Sequence, residues 1–241
     1  MVDSFFDDPE LAALYDTFSG WEGRGDFAFH LTLIMAADSV LDVGCGTGTL
    51  LHGARRAGHR GRLCGLDPAV GMLAEAREHP DVDWVHGDLS TTSWDREFDL
   101  VVMTGHAFQV LVTDAELRQA LGAVERALTP GGRFAFETRN PAARAWERWT
   151  SIDGADGVSR VEYVVEPPER DLVTFTHTFH SPRLDGPRTS RSTLRFLDVD
   201  GLAGFLAGAG LAVVEQYGDW DRSPVAEASP EIITVAGRLA G

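Results

Sequence analysis

The sequence predicts an α/β fold, a mostly parallel β-sheet covered by helices, with a small antiparallel β insertion. Three observations carry this. From 42 to 138, apolar strand-like runs alternate with helix-periodic segments almost without interruption, as a parallel sheet requires. The first of these strands runs through a glycine-rich turn directly into a helix, at Val43-Gly44-Cys45-Gly46-Thr47-Gly48-Thr49-Leu50. Residues 151–197 then break the alternation with three strand-like runs separated by turn signals.

The elements follow in order. Residues 9–18 form a short helix with Pro9 in its first turn, and a loop through Gly20, Trp21, Gly23 and Gly25 leads to Asp26 as N-cap of a helix over 27–37. Ser39–Val43 is a buried strand, and Leu50, Leu51, Ala54 and Ala57 recur at helical spacing after the glycines. Arg62–Asp67 is the second strand, followed by a helix with Pro68 at its first position. The third strand covers 83–89, and the continuous apolar run Phe98–Met103 is a strand buried on both faces. Thr113 and Glu116 make a capping box ahead of Leu117, Leu121, Val124 and Leu128. Thr129-Pro130-Gly131-Gly132 stops that helix before a fifth strand over 133–138.

The insertion reads as three antiparallel strands, 158–165, Leu172–His180 and 188–196. Asp198 caps a helix carrying Leu202, Phe205, Leu206 and Ala209, and Leu211–Tyr217 and Glu231–Arg238 are two closing strands. This divides the chain into N-terminal helices over 1–37, a core over 38–150 and 198–241, and the insertion over 151–197.

The glycine turn is where chemistry is expected. Glycine at every second position lets the main chain turn sharply and approach a ligand, and the following helix points unpaired N–H groups at it. Asp67, one helix and one strand further on, stands where folds of this plan place a carboxylate that accepts hydrogen bonds from ribose hydroxyls. It also suits a helix cap. A dinucleotide fingerprint would want glycine at position 49, which is Thr49, and no lysine follows to make a Walker loop.

The pattern Asp42-x-Gly44-x-Gly46-x-Gly48 resembles the first motif of the class I S-adenosylmethionine-dependent methyltransferases. The Leu128-x-Pro130-Gly131-Gly132 helix ending and the closing strand pair also resemble that family. The resemblance implies a Rossmann-like seven-stranded sheet with its last strand antiparallel, and S-adenosyl-L-methionine as cofactor. It implies that Gly44, Cys45, Gly46 and Gly48 line the methionine part, with Asp42 supporting the loop or the amino group. Asp67 would bind ribose, Pro68 and Met72 would flank the adenine, and Gly87, Asp88 and Leu89 would hold its edge. Thr104 and His106, at the exit of the fourth strand, would border the methyl group, with His106 the candidate base. In the family N-terminal helices close over the cofactor, which brings in Tyr15, Trp21 and Phe27. Trp146, Trp149 and Trp220 fall where the insertion joins the core and form a candidate apolar acceptor site, and His177 is a further candidate substrate contact. His177 and His180 are three apart on a strand and so face opposite sides, against a two-histidine metal site. The insertion would cover the substrate or pair two subunits.

Composition restricts the alternatives. The chain has 241 residues, 37 acidic against 21 basic, and a net charge of −16, which disfavours nucleic-acid and anionic-membrane partners. Two cysteines fit a reducing compartment and cannot build a disulfide framework. An acidic N-terminus unlike a signal peptide and the lack of a long apolar run lead to the expectation of a cytoplasmic enzyme acting on a small molecule. Two rivals stand beside methyl transfer: an NAD-type oxidoreductase on a similar fold, and a non-catalytic S-adenosylmethionine-binding protein.

Overall fold

The computed structural model describes residues 4–19, 25–78 and 80–239. Helices α1 (Ser4–Asp7), α2 (Pro9–Ser19) and α3 (Gly25–Met35) precede the sheet. Strands β1 (Ser39–Val43), β2 (Arg62–Asp67), β3 (Asp83–His86), β4 (Phe98–Met103) and β5 (Leu128–Arg139) follow, with helices α4 (Thr49–Arg56), α5 (Val70–Ala76) and α6 (Asp114–Ala127) between them. Next come β6 (Ser151–Asp153), β7 (Arg160–Val165), β8 (Leu172–His180) and β9 (Arg188–Arg195), then α7 (Val199–Gly208), β10 (Leu211–Tyr217) and β11 (Glu231–Arg238).

The main sheet has seven strands in the order β10-β11-β5-β4-β1-β2-β3. β1 pairs in parallel with β2 and β4, and β4 with β5, whereas β11 is antiparallel to both its neighbours. The pleat sends alternate residues to opposite faces. Leu41, Val101, Phe134 and Phe136 join α6 and α7 on one side, and Val40, Leu63, Leu100 and Val102 join α3 and α4 on the other. Both faces are covered, which is why these strands are apolar throughout.

Four expectations change. The insertion has four strands, in the order β6-β7-β8-β9, because the three-residue β6 pairs with Arg160, Val161 and Glu162. Three residues carry no readable periodicity. Asp26 is not the cap of its helix but lies buried in the first turn of α3, which begins at Gly25. Pro68 precedes the helix rather than opening it, since the N-cap of α5 is Ala69. Residues 129–132 do not separate α6 from the next strand: β5 starts at Leu128, and the irregularity is taken up as a register shift against β4 between Phe98 and Leu100. The caps at Thr113 and Asp198 form as expected, Thr113 through the full capping box and Asp198 by accepting from the Gly201 N–H at 2.8 Å.

Helix α2 lies between the two sheets. Leu11 and Leu14 cluster with Val161 and Phe179 of the insertion, while Ala12 clusters with Ala69 and Met72 of the core.

Candidate active site

In the main sheet β1 lies between β2 and β4, so the chain's crossovers leave it in opposite directions and open a crevice beyond the carboxyl ends of β1 and β4. The glycine turn leaves β1 into this crevice. Gly44, Gly46 and Gly48 have φ of +73°, +56° and +75°, values that side chains resist. Thr104, Gly105 and His106 leave β4 beside it. The two turns touch closely: a Cβ built on Gly44 would lie 3.0 Å from the Ala107 Cβ.

Asp67 anchors the glycine turn. Its Oδ2 accepts from the Gly46 N–H at 2.8 Å and its Oδ1 from the Ala69 N–H at 2.8 Å. Burial raises its pKa, opposed by these two backbone hydrogen bonds. Each oxygen has a second lone-pair direction, so the group has capacity for further donors. Cys45 sits in the turn with its thiol pushed well up, by burial first and then by the charges of Asp42 and Asp67, so it is inert at neutral pH.

A cavity of about 40 Å³ lies on the turn, lined among others by Tyr15, Asp16, Ser19, Gly46, Thr104 and Gly105. Asp16 of α2 closes it, accepting from the Thr47 hydroxyl at 3.0 Å and reaching Thr49 at 3.4 Å.

Beyond His106 lies a cluster of charged groups. His106 has φ +63°. Its backbone N–H donates to Glu137 Oε1 at 3.0 Å, and its Nε2 lies 3.1 and 3.0 Å from the two carboxylate oxygens of Glu231. The other Glu137 oxygen lies 2.9 Å from His30 Nε2, both side chains being essentially inaccessible. Burial opposes ionisation of Glu137, yet the hydrogen bond and charge of His30 and the charge of His106 hold it below the usual carboxylate range. Burial pushes Glu231 up to about 8, with Arg139 opposing and Glu137, Asp26 and Asp219 reinforcing. Arg139, depressed by burial, donates to Gln109 Oε1 at 3.2 Å and lies over the Trp149 ring at 5.1 Å.

The structure brings some of the sequence candidates together and separates others. Gly44, Cys45, Gly46 and Thr104 line the cavity, and Gly48, Asp67 and His106 adjoin it. Asp42 is buried in β1 directly before the turn. Gly87, at φ +151°, and Asp88 form a turn in which Asp88 Oδ1 accepts from Ser90 and Thr91; burial works against ionisation there, but these hydrogen bonds prevail and lower the Asp88 pKa. Leu89 is buried in the core. Pro68 accepts a hydrogen bond at its carbonyl from His86, whereas Met72, expected beside the adenine, is 1 % exposed beneath α2. The tryptophans do not form one acceptor site. Trp146 and Trp149 pack on Phe196, while Trp220 packs at a steep tilt against Phe29 and His30 on the other side of the core, and Trp21 lies outside the described residues. His177 is buried on the inner face of the insertion between Phe175 and Phe179. Among the described residues no group of His, Cys, Asp and Glu forms a metal site.

Sequence reading missed Asp16, Glu137, Arg139 and Glu231. A signal existed for the two glutamates: each adjoins an apolar run of the kind buried on both faces, Glu137 ending Phe134-Ala135-Phe136 and Glu231 opening Ile232-Ile233.

Comparison with known proteins gives consistent findings. Residues 40–132 match a sequence profile described as a methyltransferase domain. The chain is 33% identical over 182 residues to the dTDP-3-amino-3,4,6-trideoxy-alpha-D-glucopyranose N,N-dimethyltransferase of Streptomyces venezuelae, covering 71% of this chain and 70% of that one. Three other curated methyltransferases are matched over only 54–66% of their length. The fold matches the CcbJ methyltransferase from Streptomyces caelestis with a TM-score of 0.80 at 22% identity, over 98% of each chain. It also matches CalS10, an amino pentose methyltransferase from Micromonospora echinaspora solved with S-adenosylmethionine bound, with a TM-score of 0.68 at 26% identity over 94% of this chain and 95% of that one.

Proposed function

The chain belongs to the class I S-adenosylmethionine-dependent methyltransferases, and on that premise we propose that it transfers a methyl group from S-adenosylmethionine to a small-molecule acceptor. The observation that carries the reading is the glycine turn tied by Gly46 to the buried carboxylate of Asp67 at the switch point of the sheet.

The residues fit that cofactor. A Cβ built on Gly46 would meet nothing within 4 Å, so the main chain there faces open space, and Asp67 retains lone pairs suited to ribose hydroxyls. Gly44, Gly46 and Gly48 would lie along the methionine part with Asp42 behind them, and Gly87, Asp88 and Leu89 would meet the adenine. When bound, S-adenosylmethionine supplies an electrophilic methyl on a positively charged sulfur. The protein's share is alignment and proton handling, and alignment is worth up to about 7–11 kcal/mol in well-oriented systems. Thr104 and Gly105 would border the transferred group, and His106, next along the same turn, would receive a proton from an acceptor that arrives protonated.

The inner face of the insertion, with Tyr163, Phe175 and His177, is read as the acceptor cover, because it packs against α2, whose Tyr15, Asp16 and Ser19 line the cavity. The net charge of −16 speaks against a nucleic-acid substrate. Among the described residues no helix is long and apolar enough to cross a membrane. Both cysteines are free thiols, which supports a cytoplasmic setting.

Calorimetric titration with S-adenosylmethionine, S-adenosylhomocysteine and NAD tests the reading. Binding of the two sulfur ligands and not NAD is expected, with affinity reduced about tenfold or more in Asp67→Ala, as for loss of a hydrogen bond to a charged group worth ~1.5–3 kcal/mol. Binding of NAD alone would put the oxidoreductase reading in its place.

A further inference from the structure

Resting on the reading of the insertion's inner face as the acceptor cover, we propose that Arg139 is an anion-binding residue of the acceptor site. It takes a carboxylate or phosphate group of the acceptor on the Nε–Nη2 edge of its guanidinium, so the acceptor is an oxyanion-bearing molecule.

Arg139 is the last residue of β5, at the carboxyl end of the strand beside β4. That is the end of the sheet at which ligands of open α/β folds bind. Its partner directly across the antiparallel ladder is Glu231. Residues so paired project to the same face with Cβ atoms about 4.5–5.5 Å apart, near enough for an ion pair. The pair is not made. Glu231 lies 3.0 Å from His106, and among the described residues no carboxylate stands within ion-pair distance of Arg139. The guanidinium is held elsewhere. Buried Gln109 accepts at Oε1 from the Arg139 backbone N–H and from Nη1, both at 3.2 Å, and its Nε2 donates to the Arg195 carbonyl of β9 at 2.9 Å. The Trp149 ring covers one face, 5.1 Å from Cζ to the ring centroid. Nε and Nη2 have no hydrogen-bond partner among the described residues and are not sealed from solvent. These two nitrogens present the parallel N–H bonds that match a carboxylate or phosphate bidentately.

The charge stands where three elements meet. Its electrostatic neighbours are Glu231, Glu137, Tyr163 and Tyr15. Tyr15 of α2 lines the cavity on the glycine turn, and Tyr163 lies on the insertion's inner face beside Trp149, Phe175 and His177. Neither neighbouring carboxylate serves as the counter-ion. Glu137 is engaged by His30 and by the His106 N–H, and Glu231 is pushed up to about 8 by burial, so it is largely protonated at neutral pH. Burial also works against the charge of Arg139 and lowers its pKa. A desolvated guanidinium that is braced but has no anion destabilises the folded state, so its place here is not explained by stability. An acceptor oxyanion supplies the counter-charge, and the surrounding aromatic rings exclude water from the pair, which strengthens the attraction.

The test titrates benzoate, phenyl phosphate and the uncharged benzamide, at fixed ionic strength, into wild type, Arg139→Gln and Arg139→Lys saturated with S-adenosylhomocysteine. By calorimetry, one of the two anions should bind the wild type about tenfold or more tightly than benzamide, as for a hydrogen bond to a charged group. The tighter anion identifies the acceptor's group as carboxylate or phosphate. Arg139→Gln should abolish the preference, and Arg139→Lys, which keeps the charge but not the fork, should restore part of it. In wild type labelled with 15N-arginine, the Arg139 Nε resonance should shift with the preferred anion and stay in place with benzamide. That arm decides the matter even if a variant fails to fold. Equal binding of charged and neutral probes, no binding of either anion, an unmoved Arg139 resonance, or a preference that survives in Arg139→Gln would overturn the proposal. Retained S-adenosylhomocysteine binding without an anion preference removes the anion site alone, whereas failure to bind that ligand removes the cofactor-site reading.

Discussion

Gly48 and Glu231 show how single residues set the site. At Gly48, φ is +75°, and a Cβ would run into the Trp84 indole, which also passes Gly65. Gly48→Ala should therefore destabilise the protein by about 1–3 kcal/mol, the sum of left-handed strain and overpacking, and weaken S-adenosylhomocysteine binding. Chemical denaturation alongside calorimetry measures both, and a Gly48→Ala protein as stable as wild type would show that the turn adapts. At Glu231 the sign of the pH dependence is opposite to that of most carboxylates. Its folded pKa of about 8 exceeds the unfolded ~4.3, so between these values the folded state binds the extra proton. Stability contributed by the protonated group is complete at low pH and is lost as pH rises toward 8. Glu231→Gln should remove that part of the decline, so its melting temperature should gain on the wild type from pH 5 to pH 8.5, by about 2–4 °C per kcal/mol. Parallel melting curves would refute the shift.

At the scale of elements, α2 is the part expected to move. Its apolar contacts join it to α5 on one side and the insertion on the other, while its grip on the glycine turn is polar, through Asp16 to Thr47 and Thr49. Such bonds at a solvent-facing edge are worth about 0.5–1.5 kcal/mol net. Asp16→Ala should accelerate S-adenosylhomocysteine association several-fold in stopped-flow fluorescence, because the seating of α2 on the glycine turn loses that contribution. An unchanged association rate would mean that α2 does not gate entry. The same element explains the burial of Met72: with α2 seated on α5, the side chain expected beside the adenine fills the gap beneath the helix.

For the molecule as a whole, what could be read from the sequence depended on range. The glycine turn was legible because its signal is local: only main chain without Cβ makes the turn, and the three glycines lie within five residues. Asp67 was legible because the βαβ rhythm fixes where the second strand ends. The seven-stranded sheet with its antiparallel last strand followed from family resemblance and is present in the fold, whereas the strand order is given by the structure. The fourth insertion strand was illegible because β6 is three residues long and exists only through its pairing with β7. The tryptophans misled because closeness along the chain near a junction does not fix the side of the core on which a ring packs.

The sequence by itself determined the α/β class, the cofactor turn with its carboxylate and the presence of an antiparallel insertion, since each is written in residues near one another or in a repeating period. Only the tertiary structure decided that His106 stands between Glu137 and Glu231, 31 and 125 residues away along the chain. It also decided that Asp16 closes the crevice from the other side. The physical reason is that a charged group acquires its partner, its burial and its shifted proton affinity from the elements folded against it, and no local pattern carries that information.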